Sequence, residues 1–123
     1  MSFKTALHDA TPYITKDGSE IRELLHPSLH AVCKQSLAEA VVPAGVTTLL
    51  HRHAISEEIY HITQGNGLMT LGDEKFTVKT GDSIAISPGT AHCIENTGET
   101  ALHILCCCAP AYSHADTELL PAA

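Results

Sequence analysis

Glycine and proline recur at short intervals along most of this chain, and this spacing limits what the segments between them can form. The turn-forming residues cluster at 43–45, 65–67, 72–73, 81–82, 88–89 and 97–98. The runs between clusters are about 5 to 9 residues long, which is the length of strands rather than helices. Some runs alternate, as in "KFTVKT", where Phe76 and Val78 share one face. Short, evenly spaced strands predict an all-β sandwich or barrel.

The 123-residue chain is predicted to form a single domain with three parts. Residues 36–112 make the barrel core, preceded by an N-terminal extension at 1–35 and followed by a tail at 113–123. In the extension, "DGSEIRELL" fits either a short helix with Asp17 or Ser19 as its N-cap or a strand that packs on the barrel. The tail "YSHADTELLPAA" either adds a helical turn or stays loosely attached.

Net charge and cysteine content restrict the partners and the compartment. The formal charge of −7, with only two arginines, argues against a nucleic-acid partner, which needs a basic face to neutralise phosphates. No basic segment precedes an apolar run at the amino terminus, and no stretch is long enough for a membrane helix, so neither a signal peptide nor a membrane partner is predicted. The five cysteines form an odd count without paired spacing, which favours reduced thiols and a cytoplasmic location.

The segment "HRHAISEEIYHITQG" concentrates the candidate metal-binding groups. In a strand, His51 and His53 point to one face, and two imidazoles about 7 Å apart can reach a single ion with bonds of about 2.1 Å. Glu58 begins the next predicted strand and offers a carboxylate oxygen. His92 follows the turn at 88–89 and offers a further imidazole. Because the chain has nine histidines, the alternative is a barrel whose polar interior has lost its ion.

The spacing of these residues resembles the first motif of the cupin family. That motif is a glycine, five residues, His-x-His, three or four residues, Glu, six residues and a glycine. The matching residues are Gly45, His51, His53, Glu58 and Gly65. Counting back six residues from the last glycine selects Glu58 over Glu57.

The second cupin motif is also present, with one departure. It expects a glycine, five residues, Pro-x-Gly, two residues, His, three residues and Asn. The residues in register are Gly81, Gly89, His92 and Asn96. Ser87 stands where the motif has proline, and Pro88 follows it, which affects a turn and not a metal ligand. Two linked motifs make the resemblance more specific than an isolated His-x-His.

The resemblance implies a single cupin jelly-roll β-barrel that holds one divalent transition-metal ion inside it. The ligands implied are His51, His53, Glu58 and His92. Nitrogen and oxygen ligands suit Fe, Mn, Ni, Zn or Cu, and the ligand types alone do not select among these metals. Small cupins pair through their sheets, so a homodimer is also expected.

Three features outside the implied ligand set could lie near the metal: Tyr60, His103 and the run Cys106–Cys108. Tyr60 continues the face of Glu58, so it either fills the barrel or donates a hydrogen bond to a substrate. His103 lies across from His92 if a four-residue turn joins their strands, and it turns away if the turn has three residues. Within Cys106–Cys108, the first and third side chains share a face, and we expect structural packing rather than a metal or redox site.

Three functions on a small organic molecule are compatible with this site. The first, and the favoured one, is a dioxygenase-type oxidoreductase in which the ion activates dioxygen. The second is a metal-dependent isomerase or lyase acting on a sugar-like or keto-acid substrate. In both, Glu58 and Tyr60 are the candidate catalytic residues, with Glu58 moving a proton. The third is a non-catalytic cupin that binds a small ligand. Phosphorylated substrates are disfavoured because no basic residue is predicted inside the barrel.

Overall fold

Antiparallel strands make up most of the computed structural model, which describes residues 1–122. The strands are β1 (Tyr13–Ile14), β2 (Glu20–Leu25), β3 (Ser36–Val42), β4 (His51–His53), β5 (Glu57–Gln64), β6 (Asn66–Leu71), β7 (Glu74–Lys79), β8 (Ser83–Ile86), β9 (His92–Asn96), β10 (Leu102–Ala109) and β11 (Thr117–Leu119). Short 3₁₀ helices at Leu7–Asp9 and His114–Asp116 are the only helical segments in the described range. None of its helices has the length and apolar character needed to cross a membrane. The all-β prediction is confirmed.

The strands form two sheets that face each other. One sheet has the order β1-β2-β3-β10-β5-β8, and the other has the order β11-β4-β9-β6-β7. Neighbouring strands in both sheets run antiparallel. The chain passes between the sheets repeatedly, so residues distant in sequence meet in the interior.

The interior changes from polar to apolar along β5. Successive inward residues of this strand are Glu58, Tyr60 and Ile62, while Ile59 between them points outward. Ile62, Met69 and Leu102 have no accessible surface at all. Each such side chain contributes about 1.5–3 kcal/mol by its removal from water. The apolar core therefore fills one end of the barrel and leaves the polar residues at the other end.

The N-terminal segment whose structure the sequence left open is a strand. Residues 20–25 form β2, which pairs with β3 and extends the six-stranded sheet. The preceding Asp17-Gly18 belongs to the turn between β1 and β2, where Gly18 adopts a φ of +91°. An L-residue with a side chain is strained at this angle, which is why glycine suits the position. The turn brings Asp17 into the barrel, where it is buried.

The C-terminal tail contains the helical turn that the sequence allowed, and also a strand that it did not predict. Strand β11 pairs with β4, placing Thr117 opposite His53 and Leu119 opposite His51. Asp116 accepts hydrogen bonds from the backbone N–H groups of Ile55 (2.9 Å) and Ser56 (3.0 Å). The tail is thus attached directly to the strand that carries two of the candidate ligands.

Candidate metal centre

Three imidazoles converge inside the barrel. His51 and His53 come from β4, and His92 comes from β9, directly across from His51. All three are buried, and one ring nitrogen of each lies within 4.8 Å of the other two. Ligand atoms bound to one ion at about 2.1 Å lie no more than about 4.2 Å apart, so small side-chain movements bring these nitrogens to bonding distance.

Hydrogen bonds on the opposite ring nitrogen orient His51 and His92. The Nδ1 of His51 lies 2.8 Å from the carbonyl oxygen of Leu49, and the Nδ1 of His92 lies 2.9 Å from that of Thr90. A carbonyl only accepts, so each Nδ1 must carry the hydrogen and donate it. Each Nε2 therefore presents a lone pair to the interior, which is the arrangement of metal-binding histidines.

The orientation of His53 depends on the C-terminal strand. Its Nδ1 lies 3.0 Å from the hydroxyl oxygen of Thr117, and that hydroxyl donates its hydrogen to the carbonyl of Ser113 at 2.8 Å. The hydroxyl has one hydrogen, so towards His53 it acts as an acceptor and Nδ1 is the donor. The Nε2 of His53 is left with a free lone pair, as in the other two imidazoles.

Glu58 adds a carboxylate to the three imidazoles. Its Oε1 lies 3.1 Å from the Nε2 of His53 and 3.4 Å from the Nε2 of His92. Despite these distances, Glu58 Oε1 and His92 Nε2 have no hydrogen-bond partner among the described residues, and both are buried. Neighbouring Glu57 is exposed. Buried polar atoms without partners are costly, so atoms that point towards a shared space fit a bound cation.

The protonation states of Glu58 and His51 are compatible with binding a cation. Burial alone raises the pKa of Glu58, but in the metal-free protein an Nε2 proton on His53 or His92, which a bound ion would replace, outweighs burial and brings the pKa down to about 2. Burial, and then the charge of His92, lowers the pKa of His51. Glu58 is therefore a carboxylate and His51 is neutral at physiological pH, which are the forms that bind metals. The residues present fit a divalent transition metal.

Cys108 contacts the other oxygen of the same carboxylate, Oε2. Its thiol donates to Glu58 Oε2 at 3.3 Å. Burial, followed by the charge of Glu58, raises the pKa of this thiol, so the proton stays on sulfur. Cys106 and Cys108 are buried on the inner face and Cys107 is partly exposed on the outer face, as the alternation predicts. The prediction that these cysteines only pack missed the contact with Glu58.

Asp17 lies next to the cluster, although no functional role was predicted for it from the sequence. Its Oδ2 lies 3.7 Å from the Nε2 of His51, and its Oδ1 accepts hydrogen bonds from the backbone and hydroxyl of Ser19 at 3.0 and 2.6 Å. The sequence offered Asp17 as a helix cap. The Asp-Gly pair is a hairpin signal that could have identified the turn, but not its entry into the barrel.

His103 lies away from the cluster. Both turn alternatives assumed that its strand pairs with the strand of His92, and this assumption was wrong. Strand β9 pairs with β4 and β6, whereas β10 pairs with β3 and β5 in the other sheet. His103 instead lies on the outer side of its sheet, with Nδ1 3.4 Å from Glu39 Oε2. Asn96 stabilises the segment between β9 and β10, because its side-chain amide donates hydrogen bonds to the carbonyls of Val42 (2.9 Å) and Thr100 (2.8 Å).

A cavity opens next to the cluster. It has about 40 Å³ of free volume, where one water molecule takes roughly 10–15 Å³ on the same measure. Tyr60 forms part of its wall, with its ring centre 5.9 Å from that of His92. Burial, and then the charge of Glu58, raises the pKa of Tyr60, so its hydroxyl remains a hydrogen-bond donor.

Comparison with known proteins identifies a matching family and several relatives. The Cupin domain family matches residues 38–108. An uncharacterized protein of Methanocaldococcus jannaschii is 62% identical over 117 residues, covering 95% of this chain and 94% of that protein. A Thermotoga maritima structure described as a predicted oxalate decarboxylase is 28% identical with a TM-score of 0.75, covering 85% of this chain and 96% of the other.

The fold is also found in a more distant protein. A conserved protein of Klebsiella pneumoniae with a double-stranded β-helix domain is 15% identical with a TM-score of 0.77, covering 99% of this chain and all of that one (100%). The predicted jelly-roll barrel is confirmed by this likeness together with the family match.

Proposed function

Since the chain belongs to the cupin domain family, we propose that it is a metal-dependent enzyme acting on a small organic molecule. The observation that carries the proposal is the pair of buried, unpartnered atoms, Glu58 Oε1 and His92 Nε2, which point into one space. His51, His53, His92 and Glu58 would hold a single divalent ion there. When bound, such an ion supplies Lewis acidity, or dioxygen binding if it is redox-active.

Proton transfer is the chemistry that the residues of the cavity support best, as in an isomerase or a lyase. Glu58 is a carboxylate and accepts a proton, while Tyr60 keeps its proton and donates a hydrogen bond. A proton acceptor and a hydrogen-bond donor in one cavity can hold a substrate from both sides of the proton that moves. Substrates with a hydroxyl or carbonyl group next to the reacting carbon fit this pair.

A dioxygenase-type reaction is the second candidate, and it was the one favoured from the sequence. Three imidazoles and one carboxylate leave one or two coordination positions for substrate and dioxygen. It is placed second because Glu58 as a proton acceptor and Tyr60 as a hydrogen-bond donor have no assigned role in it.

Reconstitution with single metals separates these candidates. The protein is purified without added ions, loaded in turn with Fe, Mn, Ni, Zn or Cu, and supplied with hydroxy-carbonyl compounds in D₂O. We expect metal-dependent deuterium incorporation at the carbon next to the carbonyl, detected by NMR. The exchange should be lost in Glu58→Gln and retained in Glu57→Gln, whose side chain is exposed. Oxygen consumption that matches substrate loss would instead support the dioxygenase, and binding without either reaction would support a ligand-binding cupin.

The outer face of the six-stranded sheet supports a homodimer. Ile59 on β5 is 46% exposed and lies beside Cys107 on β10, which in turn lies beside Leu37 on β3. An apolar row across three strands is suited to pairing with a second copy. Light scattering should give twice the chain mass, and Ile59→Arg should give the monomer. A wild-type monomer would contradict the dimer.

All five cysteines are unpaired in the described residues, which supports the cytoplasm as the compartment. Fractionation of cells that express the protein at its natural level tests this location. Recovery of the protein outside the cytoplasmic fraction would contradict it.

A further inference from the structure

The two oxygens of the Glu58 carboxyl group have different surroundings. Oε1 lies 3.1 Å from the Nε2 of His53 and 3.4 Å from the Nε2 of His92, without a hydrogen-bond partner among the described residues. Oε2 accepts a hydrogen bond from the Cys108 thiol at 3.3 Å. The last torsion of a glutamate side chain has broad, twofold preferences, so the side chain itself does not fix which oxygen points where. The thiol is a group that distinguishes the two oxygens.

Strand pairing places Cys108 beside Glu58. Strands β10 and β5 are antiparallel neighbours, and Cys108 is directly opposite Glu58 in their register. Both side chains point into the barrel, where Cys108 is 2% and Glu58 is 5% exposed. Side chains directly opposite each other on one face of an antiparallel pair start about 4.5–5.5 Å apart, close enough for contact. The contact is therefore part of the sheet and not of a loop.

Burial makes this hydrogen bond important although a thiol is a weak donor. A buried oxygen that loses its partner costs free energy, because water does not replace the donor. In the described residues, the buried side-chain atoms without a partner are Glu23 Oε2 in the cavity wall, Glu58 Oε1 and His92 Nε2. Glu58 Oε2 is not among them, because the Cys108 thiol supplies its hydrogen. Without the thiol, both oxygens of Glu58 would lack a donor.

Cys106 provides a comparison within the same strand. It lies two residues before Cys108 on β10, is buried on the same inner face and lines the same cavity. The strand register places it opposite Tyr60 and not opposite Glu58. Its thiol donates to the backbone carbonyl of Ile104 at the longer distance of 3.9 Å. The two thiols thus share burial and orientation, and they differ in the contact with Glu58.

We propose that Cys108 is a positioning residue for Glu58, whose thiol holds Oε2 so that Oε1 alone faces the space shared by His53 and His92. This inference rests on the proposed metal-dependent function, in which Oε1 would be the ligand atom that Glu58 supplies. Groups that hold a metal ligand in place typically raise metal affinity by about 10- to 100-fold. Cys108 would contribute to metal affinity in this way without touching the ion.

Infrared spectroscopy of the metal-free protein tests the contact in the absence of an ion. The S–H stretching band moves to lower frequency when a thiol donates a hydrogen bond. Difference spectra of wild type against Cys108→Ala and against Cys106→Ala isolate the band of each thiol. We expect the Cys108 band at the lower frequency, and we expect it to rise in Glu58→Leu, which removes the acceptor. A Cys108 band at or above the Cys106 band, or one that Glu58→Leu does not move, would overturn the inference.

Competition with a chelator for Zn(II) tests the positioning role. Cys108→Ala should bind Zn(II) about tenfold more weakly than wild type, at the low end of the range for such groups because a thiol is a weak donor. Cys108→Ser supplies a hydroxyl donor and should bind within about threefold of wild type. Cys106→Ala is the matched control, since it removes a buried thiol from the same face of β10, and it should also bind within about threefold.

The outcomes separate this inference from the proposed function. If wild type takes up no divalent metal, the metal-dependent function is refuted, and the infrared bands alone decide whether Cys108 holds Glu58. If Zn(II) is bound, the inference is overturned when Cys108→Ala binds it within about twofold of wild type, or when Cys108→Ser or Cys106→Ala weakens binding as much as Cys108→Ala. Chemical denaturation of the metal-free variants should show similar losses in the two alanine variants, because each removes one buried sulfur.

Discussion

The hydroxyl of Thr117 is predicted to control metal affinity although it lies outside the ligand set. It accepts a hydrogen bond from His53 Nδ1 at 3.0 Å and donates to the carbonyl of Ser113 at 2.8 Å. Thr117→Val keeps the size and branching of the side chain and removes both hydrogen bonds. Nothing then holds the hydrogen on Nδ1, and a hydrogen on Nε2 would block the atom that is proposed to bind the ion.

The structure sets the expected size of this effect. His53 is only 4% exposed, so water does not replace the lost acceptor. Removal of such a partner from a metal-binding histidine lowers metal affinity about 10- to 100-fold, which corresponds to about 1.4–2.7 kcal/mol. In the metal-free protein, the loss of the hydrogen bonds of the Thr117 hydroxyl, including the one to the Ser113 carbonyl, should lower the free energy of unfolding by about 1–3 kcal/mol.

Competition with a chromophoric chelator measures the affinity for Zn(II), and chemical denaturation of the metal-free protein measures its stability. Thr63→Val is the matched control, because its hydroxyl is exposed and donates to His103 O at 3.3 Å. We expect the control to change stability by no more than about 0.5 kcal/mol. The reasoning is refuted if Thr117→Val binds Zn(II) within about twofold of wild type, well short of the tenfold minimum.

Three further predictions concern stability and pH. Removal of the ion with a chelator should lower the melting temperature, since an ion present at 100 times its Kd stabilises the folded state by about 2.7 kcal/mol; an unchanged melting curve would contradict a bound ion. Metal affinity measured by calorimetry should fall on acidification because protons compete for the imidazoles, and since burial lowers the pKa of His51, protonation of His51 should contribute only below its ordinary pKa range; affinity independent of pH would exclude imidazole ligands. Gly67→Ala should destabilise the protein by about 1–3 kcal/mol, because the new Cβ would lie 2.5 Å from the carbonyl oxygen of Glu95. Gly98→Ala is its control, since the nearest atom, at 2.9 Å, belongs to the exposed side chain of Asn66, and equal loss in both variants would contradict the packing explanation.

The candidate ligands could be predicted from the sequence because their positions follow from strand alternation and fixed spacing. His51 and His53 are two residues apart on one strand, so they must share a face. Glu58 was chosen over Glu57 by counting from Gly65, and the structure buries the former and exposes the latter. These relations are local, whereas the position of His92 beside them depends on the pairing of β9 with β4.

The remaining contacts depend on long-range pairing that local patterns do not encode. The roles of Thr117 and Asp17 require strand β11 to pair with β4 and the β1–β2 turn to enter the barrel. His103 was misplaced because adjacent strands usually pair, whereas the segment after Asn96 crosses to the other sheet. Glu23 becomes a cavity residue only when β2 extends the six-stranded sheet.

Elemental analysis of ion content is the most direct test that the three imidazoles and Glu58 form one metal centre. After loading and removal of free ions, wild type and Glu57→Gln should each contain one ion per chain. His92→Ala should contain none while retaining its β-sheet circular dichroism. Full ion content in His92→Ala, or no ion in wild type with any of the five metals, would contradict the proposed site.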